Sequence, residues 1–223
     1  MKWVYYNPVF DVDRINPSVR LLSTWSGHNN FAYDLVRFMK PGKIVELGTY
    51  YGSSFYSFCQ GIKDEKLAVK CFAIDTWQGD LHGGLYGNEV FETVTNITTQ
   101  CYPSIGCMIR STFDDALNSF EDESIDLLHI DGYHTFEAVS HDFETWLPKV
   151  AKRGIILFHD IAVYDRDFGV CKLWDTLKQQ YPYLEFTHSY GLGVLFPKGY
   201  DEKFKDIFNK SHELQKKYTG NNI

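Results

Sequence analysis

The 223-residue sequence contains no stretch approaching the roughly 18–20 consecutive apolar residues that a bilayer-spanning helix needs. Its start, Met1-Lys2-Trp3-Val4-Tyr5-Tyr6-Asn7-Pro8, lacks the apolar core of a secretory signal, so a cytoplasmic protein without a membrane partner is expected. Cysteine is sparse and irregular. Cys59, Cys71, Cys101, Cys107 and Cys171 are odd in number and form no Cys-x-x-Cys pair, which predicts reduced thiols and no structural zinc site. Positive charge is scarce too, with 22 Lys and Arg against 29 Asp and Glu and a net charge of −7. Such a chain, with its basic residues scattered, has no general attraction to phosphate backbones, and nucleic acid is excluded as a first partner. Gly-x-Ser-x-Gly, His-Glu-x-x-His, Gly-x-Gly-x-x-Gly and a Gly-Lys-Ser or Gly-Lys-Thr phosphate loop are all absent. Their absence removes the serine-hydrolase, zinc-protease, dinucleotide and phosphate-cradling readings.

Aromatic residues, at 17%, are what the sequence has in excess, and most of them are expected to fill a core. No linker, repeat or low-complexity run divides the chain, so residues 1–223 read as one domain: an N-terminal helical segment (1–42), a core (43–197) and a C-terminal helix (198–223). Within the core one pattern recurs: a short apolar run, a polar or glycine-rich turn, then a helical period. The runs are Lys43–Leu47, Lys70–Ile74, Cys107–Arg110, Ile125–Ile130 and Gly154–Phe158. They are continuously apolar rather than alternating, which suits strands buried on both faces of a parallel sheet. Phe136, Val139, Phe143, Trp146 and Leu147 recur at helical spacing up to Pro148, and Phe31, Leu35, Val36 and Met39 do so up to Pro41-Gly42. Leu184–His188 and Leu192–Phe196 flank a Ser-Tyr-Gly turn too short for a crossover helix, which predicts a hairpin and one late antiparallel strand. Phe204, Ile207, Phe208 and Leu214 predict a final amphipathic helix. The fold class is α/β, a doubly wound, Rossmann-like sheet.

In such a sheet ligands bind beyond the carboxyl ends of the strands, so the residues that follow each run are informative. The first is followed by Gly48-Thr49-Tyr50-Tyr51-Gly52-Ser53-Ser54, where two glycines let backbone approach a ligand as a helix begins. Asp75 ends the second run and can accept both hydroxyls of a ribose, while Trp77 in Asp75-Thr76-Trp77 can stack on a base. The ligand is read as nucleoside-like and not phosphate-rich. Asp131 and Asp160 follow the fourth and fifth runs; on neighbouring strands their ends lie roughly 5 Å apart, close enough to share a cation. With His159 alongside, magnesium, calcium or a borderline transition metal are compatible. His134, three residues past Asp131, is placed to take a proton from a hydroxyl. Residues 79–87, glycine-rich and holding His82 and Tyr86, read as a loop over the crevice, and His82, Tyr86, Tyr133 and the more distant His28 are the substrate-side candidates.

Val45–Ser54, Ile74–Asp80, His129–Val139 and Leu157–Asp160, taken in order, resemble class I S-adenosylmethionine-dependent methyltransferases. The branch they resemble holds sugar O-methyltransferases of macrolide pathways and cephalosporin-hydroxylase-like proteins, and the likeness covers roughly residues 25–197. It implies a seven-stranded sheet whose last strand is antiparallel. It implies that Glu46, Gly48, Tyr50, Gly52 and Ser53 cradle the methionine part of S-adenosylmethionine, with Asp75 and Thr76 at the ribose, Trp77 by the adenine, and Ser111-Thr112-Phe113 completing the adenine pocket. Asp131 borders the same cofactor, and Asp131, His159 and Asp160 match the positions that hold Mg2+ or another divalent cation in metal-using relatives. A second acid precedes the latter position in those relatives; here it is His159. His134, with Asp131, matches the catalytic base. The expected function is methylation of a sugar or other small hydroxylated acceptor. Two alternatives stay open: a hydroxylase-like relative, and a non-catalytic nucleoside-binding module of a glycan-assembly system. The aromatic segment from Trp3 to Phe10 either packs against a partner subunit in a homo-oligomer or covers the core of its own chain.

Overall fold

The computed structural model of the chain describes residues 2–165 and 167–219. Its strands are β1 (Lys43–Leu47), β2 (Lys70–Asp75), the two-residue pair β3 (Gly79–Asp80) and β4 (Gly84–Leu85), β5 (Gly106–Arg110), β6 (Ile125–Ile130), β7 (Val150–His159), β8 (Tyr183–Phe186) and β9 (Leu192–Leu195). The helices are α1 (Ser18–Leu21), α2 (Asn29–Met39), α3 (Ser53–Glu65), α4 (Asn88–Cys101), α5 (Phe113–Leu117), α6 (Phe136–Trp146), α7 (Val170–Leu177), α8 (Lys205–Asn209) and α9 (Ser211–Thr219).

Seven strands form one sheet in the order β5-β2-β1-β6-β7-β9-β8. The first five in that order run parallel, and β9 lies antiparallel to both β7 and β8, as the tight hairpin requires. The apolar runs explain this arrangement. Side chains alternate across a strand, so a continuous run buries both faces. Ile44, Leu127 and Ile155 enter one core with α2, α3, α4 and α9, while Val45, Leu128 and Ile156 enter a second core with α5, α6 and α7. Trp146, fully buried, anchors α6 in the second core; truncating such a ring costs about 3–5 kcal/mol. Because β2 lies on one side of β1 and β6 on the other, the chain reverses direction at β1, and a crevice opens there at the strand ends.

Local signals set the helix limits. Thr135 accepts the N–H of Ala138 to cap α6, and Thr112 does the same for Asp115 at α5. At the end of α2, Lys40 turns left-handed ahead of Pro41.

Two expectations at the ends of the chain need correction. The final segment is not one helix: Lys210 leaves helical geometry between α8 and α9, so Phe204 and Ile207 pack on one side of the break and Leu214 and Tyr218 on the other. Residues 220–223 lie outside the described residues. The N-terminal segment is helical only in short pieces before α2; residues 2–10 run without regular structure, and Trp3 and Phe10 close over the chain's own core against Phe31, Phe38 and Tyr33. Among the described residues no helix is long and apolar enough to cross a membrane.

Candidate active site

The crevice at β1 is a cavity of about 830 Å3. One half is built mainly from backbone. After β1, Gly48 takes φ +85°, and a Cβ on it would stand 2.0 Å from the carbonyl oxygen of Asp131. Only glycine lets the two loops touch there. The chain then climbs through Tyr50 and Gly52, both at positive φ, into α3. This loop is held in shape by Asp75: its Oδ2 accepts the N–H groups of Thr49 and Tyr50, both at 2.9 Å, and its Oδ1 accepts the N–H of Trp77 at 2.7 Å. Thr76, Thr112, Phe113 and Gly132 complete this wall.

The other half is built from ionisable side chains at the ends of β6 and β7. His134 Nε2 lies 2.9 Å from Asp160 and 3.8 Å from Asp131. His159 Nδ1 lies 3.3 Å from both carboxylates, and its Nε2 is 3.0 Å from the carbonyl oxygen of Ser189. A carbonyl only accepts, so that nitrogen carries hydrogen; the other faces two carboxylates and carries one as well. His159 is therefore an imidazolium: burial opposes the charge, but Asp131 and Asp160 hold its pKa well above the ordinary value. Burial likewise opposes the charge on His134, and hydrogen bonds to Asp131 and Asp160 outweigh it, raising that pKa to about 10. Asp131 and Asp160 are held below the usual carboxylate range, chiefly by His159 and by hydrogen bonds from His134, against the pull of burial. The Nδ1 of His134 is buried and has no partner among the described residues. Asp160 sits at φ +61°, a conformation that L side chains rarely adopt.

A third wall comes from the segment ahead of α2, with Asn16, Ser18, Val19, Leu22, Ser23, Thr24 and Trp25, and from Tyr190 in the hairpin turn. Trp25 pins that wall to the sheet. Its indole N–H donates to His129 Nε2 (3.3 Å), so His129 Nδ1 must donate to Glu46 (2.9 Å). Residues 79–87 cross the mouth as the small β3–β4 pair, and His82, Gly83 and Tyr86 face the cavity.

Of the residues expected from sequence, the structure brings Gly48, Tyr50, Gly52, Ser53, Asp75, Thr76, Thr112, Phe113, Asp131, Tyr133, His134, His159, Asp160, His82 and Tyr86 to this one cavity. Four do not line it. Glu46 points beneath the floor to His129. Trp77 turns into the core, with its Nε1 on the Tyr50 carbonyl and its ring against Phe91. Ser111 stands behind β2, its N–H on the Asp75 carbonyl. His28 is fully buried, with Nε2 donating to Ser189. Three backbone N–H groups occupy three of the four acceptor directions of Asp75. The sequence reading missed the wall at 16–25, Tyr190 and Phe168. The segment at 16–25 and Tyr190 follow no strand of the parallel set, and Phe168, in the connection from β7 to α7, stands too far beyond Asp160 for any spacing to tie it to the motif.

The methyltransferase domain family matches residues 45–161, just over half of the chain. This chain belongs to the class I S-adenosylmethionine-dependent methyltransferases. The match runs from β1 to the residue after Asp160, so it takes in the glycine loop and the carboxylate–imidazole cluster. An uncharacterized protein of Sinorhizobium fredii, y4gI, is 45% identical over 174 residues, 78% of this chain and 19% of that protein. The methyltransferase thus spans about a fifth of the curated relative it matches. Among solved structures it is similar to a methyltransferase from Geobacter sulfurreducens, with 13% identity, TM-score 0.60 and coverage of 86% of this chain and 92% of that one. It is similar also to the O-methyltransferase TomG of Streptomyces achromogenes, solved with S-adenosylmethionine (13%, TM-score 0.56, coverage 85% and 97%). A third is an O-methyltransferase from Bacillus cereus in complex with S-adenosylhomocysteine (14%, TM-score 0.59, coverage 83% and 89%). At these identities the likeness speaks for the shared fold.

Proposed function

We propose that this methyltransferase transfers the methyl group of S-adenosylmethionine to a hydroxyl of a sugar or similar small polyol. The observation that carries this reading is the Nδ1 of His134, buried, without a partner among the described residues and on a residue lining the cavity, while its Nε2 is tied to Asp160. An imidazole anchored at one nitrogen and bare at the other is arranged as a general base whose cationic form a carboxylate stabilises. The Gly48–Asp131 contact sets the cofactor loop directly against this cluster, so donor and acceptor sites adjoin. Ser18, Ser23, Thr24, Asn16 and Tyr190 offer hydroxyl and amide groups around the acceptor side, suited to a polyhydroxylated molecule rather than a flat apolar one.

In the reaction the acceptor oxygen attacks the sulfonium methyl in line, and its proton passes to Nδ1 of neutral His134 while Asp160 holds the ring; because the two carboxylates raise the His134 pKa to about 10, the neutral fraction, and the rate with it, rises with pH. Alignment supplies much of the rate. Tyr133, Tyr86 and Phe168 exclude water from a step in which the cofactor loses its charge. Asp131, His134 and Asp160 each offer a ligand atom, all within 4.8 Å of one another, and with His134 kept as the base the two carboxylates are the ligands that fit a divalent cation. Asp131 and Asp160 would hold such an ion, whose chemistry there is to acidify the hydroxyl and relieve the carboxylates' grip on the His134 proton.

The test is calorimetric titration of S-adenosylhomocysteine into wild type and Asp75→Ala, with NAD as control, followed by a screen of sugar acceptors with and without divalent metal. Binding to the wild type that the variant loses, with methyl transfer abolished by His134→Ala, supports the reading. No binding by the wild type overturns it. Cofactor binding with no turnover and indifference to His134→Ala would favour a nucleoside-binding module instead.

A further inference from the structure

We propose that Phe168 is a positioning residue that fixes the plane of the His134 ring, and that His82 holds Phe168 in place from across the cavity mouth. The inference rests on His134 acting as the base. Asp160 fixes His134 at one atom only, Nε2, which leaves the ring free to turn about that bond and carry Nδ1 away from the acceptor. What stops the turn is Phe168. Its ring lies face to face with His134 at 4.7 Å and 12°. Phe168 is itself immobilised from two directions. Its backbone bridges Thr135, and the next residue, Gly169, donates its N–H to the His134 carbonyl at 2.7 Å, where a Cβ on Gly169 would overlap the backbone of Phe136. From the loop, His82 stacks on Phe168 at 4.5 Å and 22°, stands 5.6 Å from His134, packs against Tyr133 at 4.7 Å, and holds Asp167 at 2.7 Å through Nε2. His82 belongs to the 79–87 loop. Placement of that loop and orientation of the base are therefore one packing event, joined through the mutual contacts of His82, Phe168 and His134.

Histidine side-chain NMR tests this without turnover. The protein has eight histidines, and the His134 ring signals are those missing from His134→Gln. In wild type they carry a ring-current displacement from Phe168 and are narrow. Phe168→Leu is expected to remove the displacement and broaden them, Phe168→Tyr to keep both, and His82→Ala, which also removes a ring centred 5.6 Å away, to broaden them by a smaller amount. Once an acceptor is found, Phe168→Leu is expected to lower kcat about 10- to 100-fold with little change in acceptor KM, and Phe168→Tyr to rescue it. His134 signals identical in Phe168→Leu and wild type would overturn the proposal, as would an acceptor KM effect without a kcat effect. A His134 linewidth unchanged in His82→Ala would overturn the link to the loop. If no acceptor is ever methylated, the assignment of function fails while the NMR result still decides whether Phe168 orients the ring.

Discussion

The two halves of the cavity are made of different material. Around Gly48 and Asp75 the wall is main chain: N–H groups converge on one carboxylate, and positive φ angles steer the loop. Around His134 and Asp160 it is side chain, with two imidazoles set against two carboxylates. A main-chain wall suits a ligand that never varies; a side-chain wall can be re-cut for a different acceptor while the donor stays the same. The two should therefore fail in different ways when mutated.

The largest expected effect is on the side-chain half. His134→Ala removes the base and should lower methyl transfer about 100- to 10,000-fold while S-adenosylhomocysteine affinity stays within roughly threefold, read by single-turnover assay and calorimetry. Comparable losses in both would break the division between the halves. Next, Gly48→Ala should act in the opposite sense. The added Cβ meets a backbone oxygen at 2.0 Å and a φ of +85°. Strain of about 1–3 kcal/mol in a loop that must keep this shape to bind corresponds to roughly 5- to 150-fold weaker cofactor binding by calorimetry.

How far each half is legible in the sequence follows from the same difference. A main-chain wall announces itself locally, since Gly48, Gly52 and Asp75 stand directly after apolar runs. The sheet was legible for a related reason: runs such as Ile125–Ile130 bury both faces and so look unlike amphipathic helices. Asp131, His134 and Asp160 were legible because they follow strands. Trp77 and Glu46 were misjudged as walls, because strand position does not reveal which way a side chain turns, and both found partners below the cavity. The segment at 16–25 and Phe168 left no local signal, because they reach the site only through long-range packing.

A smaller effect concerns the wall behind Gly132, where Asp142 of α6 is buried. Burial, partly offset by the charge of His141, raises its carboxyl from 3.8 to about 7. The folded state therefore binds this proton more tightly than the unfolded one. The stabilisation is complete below about pH 4 and is lost as pH rises through about 7. Asp142→Asn should leave stability unchanged near pH 4 and raise it by about 1–3 kcal/mol at pH 8 in denaturant titrations, and equal pH dependence in variant and wild type would refute this. Smallest of all, Tyr190→Ala at the half-exposed rim should raise acceptor KM by only about 3- to 10-fold, with cofactor binding untouched. A drop in cofactor affinity there would blur the two halves into one.

The bond from Trp25 to His129 spans 104 residues of sequence. During synthesis the stretch at 16–25 leaves the ribosome first, yet its anchor exists only after β6 has been made and has paired with β1, where Glu46 fixes the imidazole. The earliest-made wall of the cavity thus waits for the chain's midpoint before it can dock. Until then the nascent chain carries an unanchored indole and an unfinished shelf.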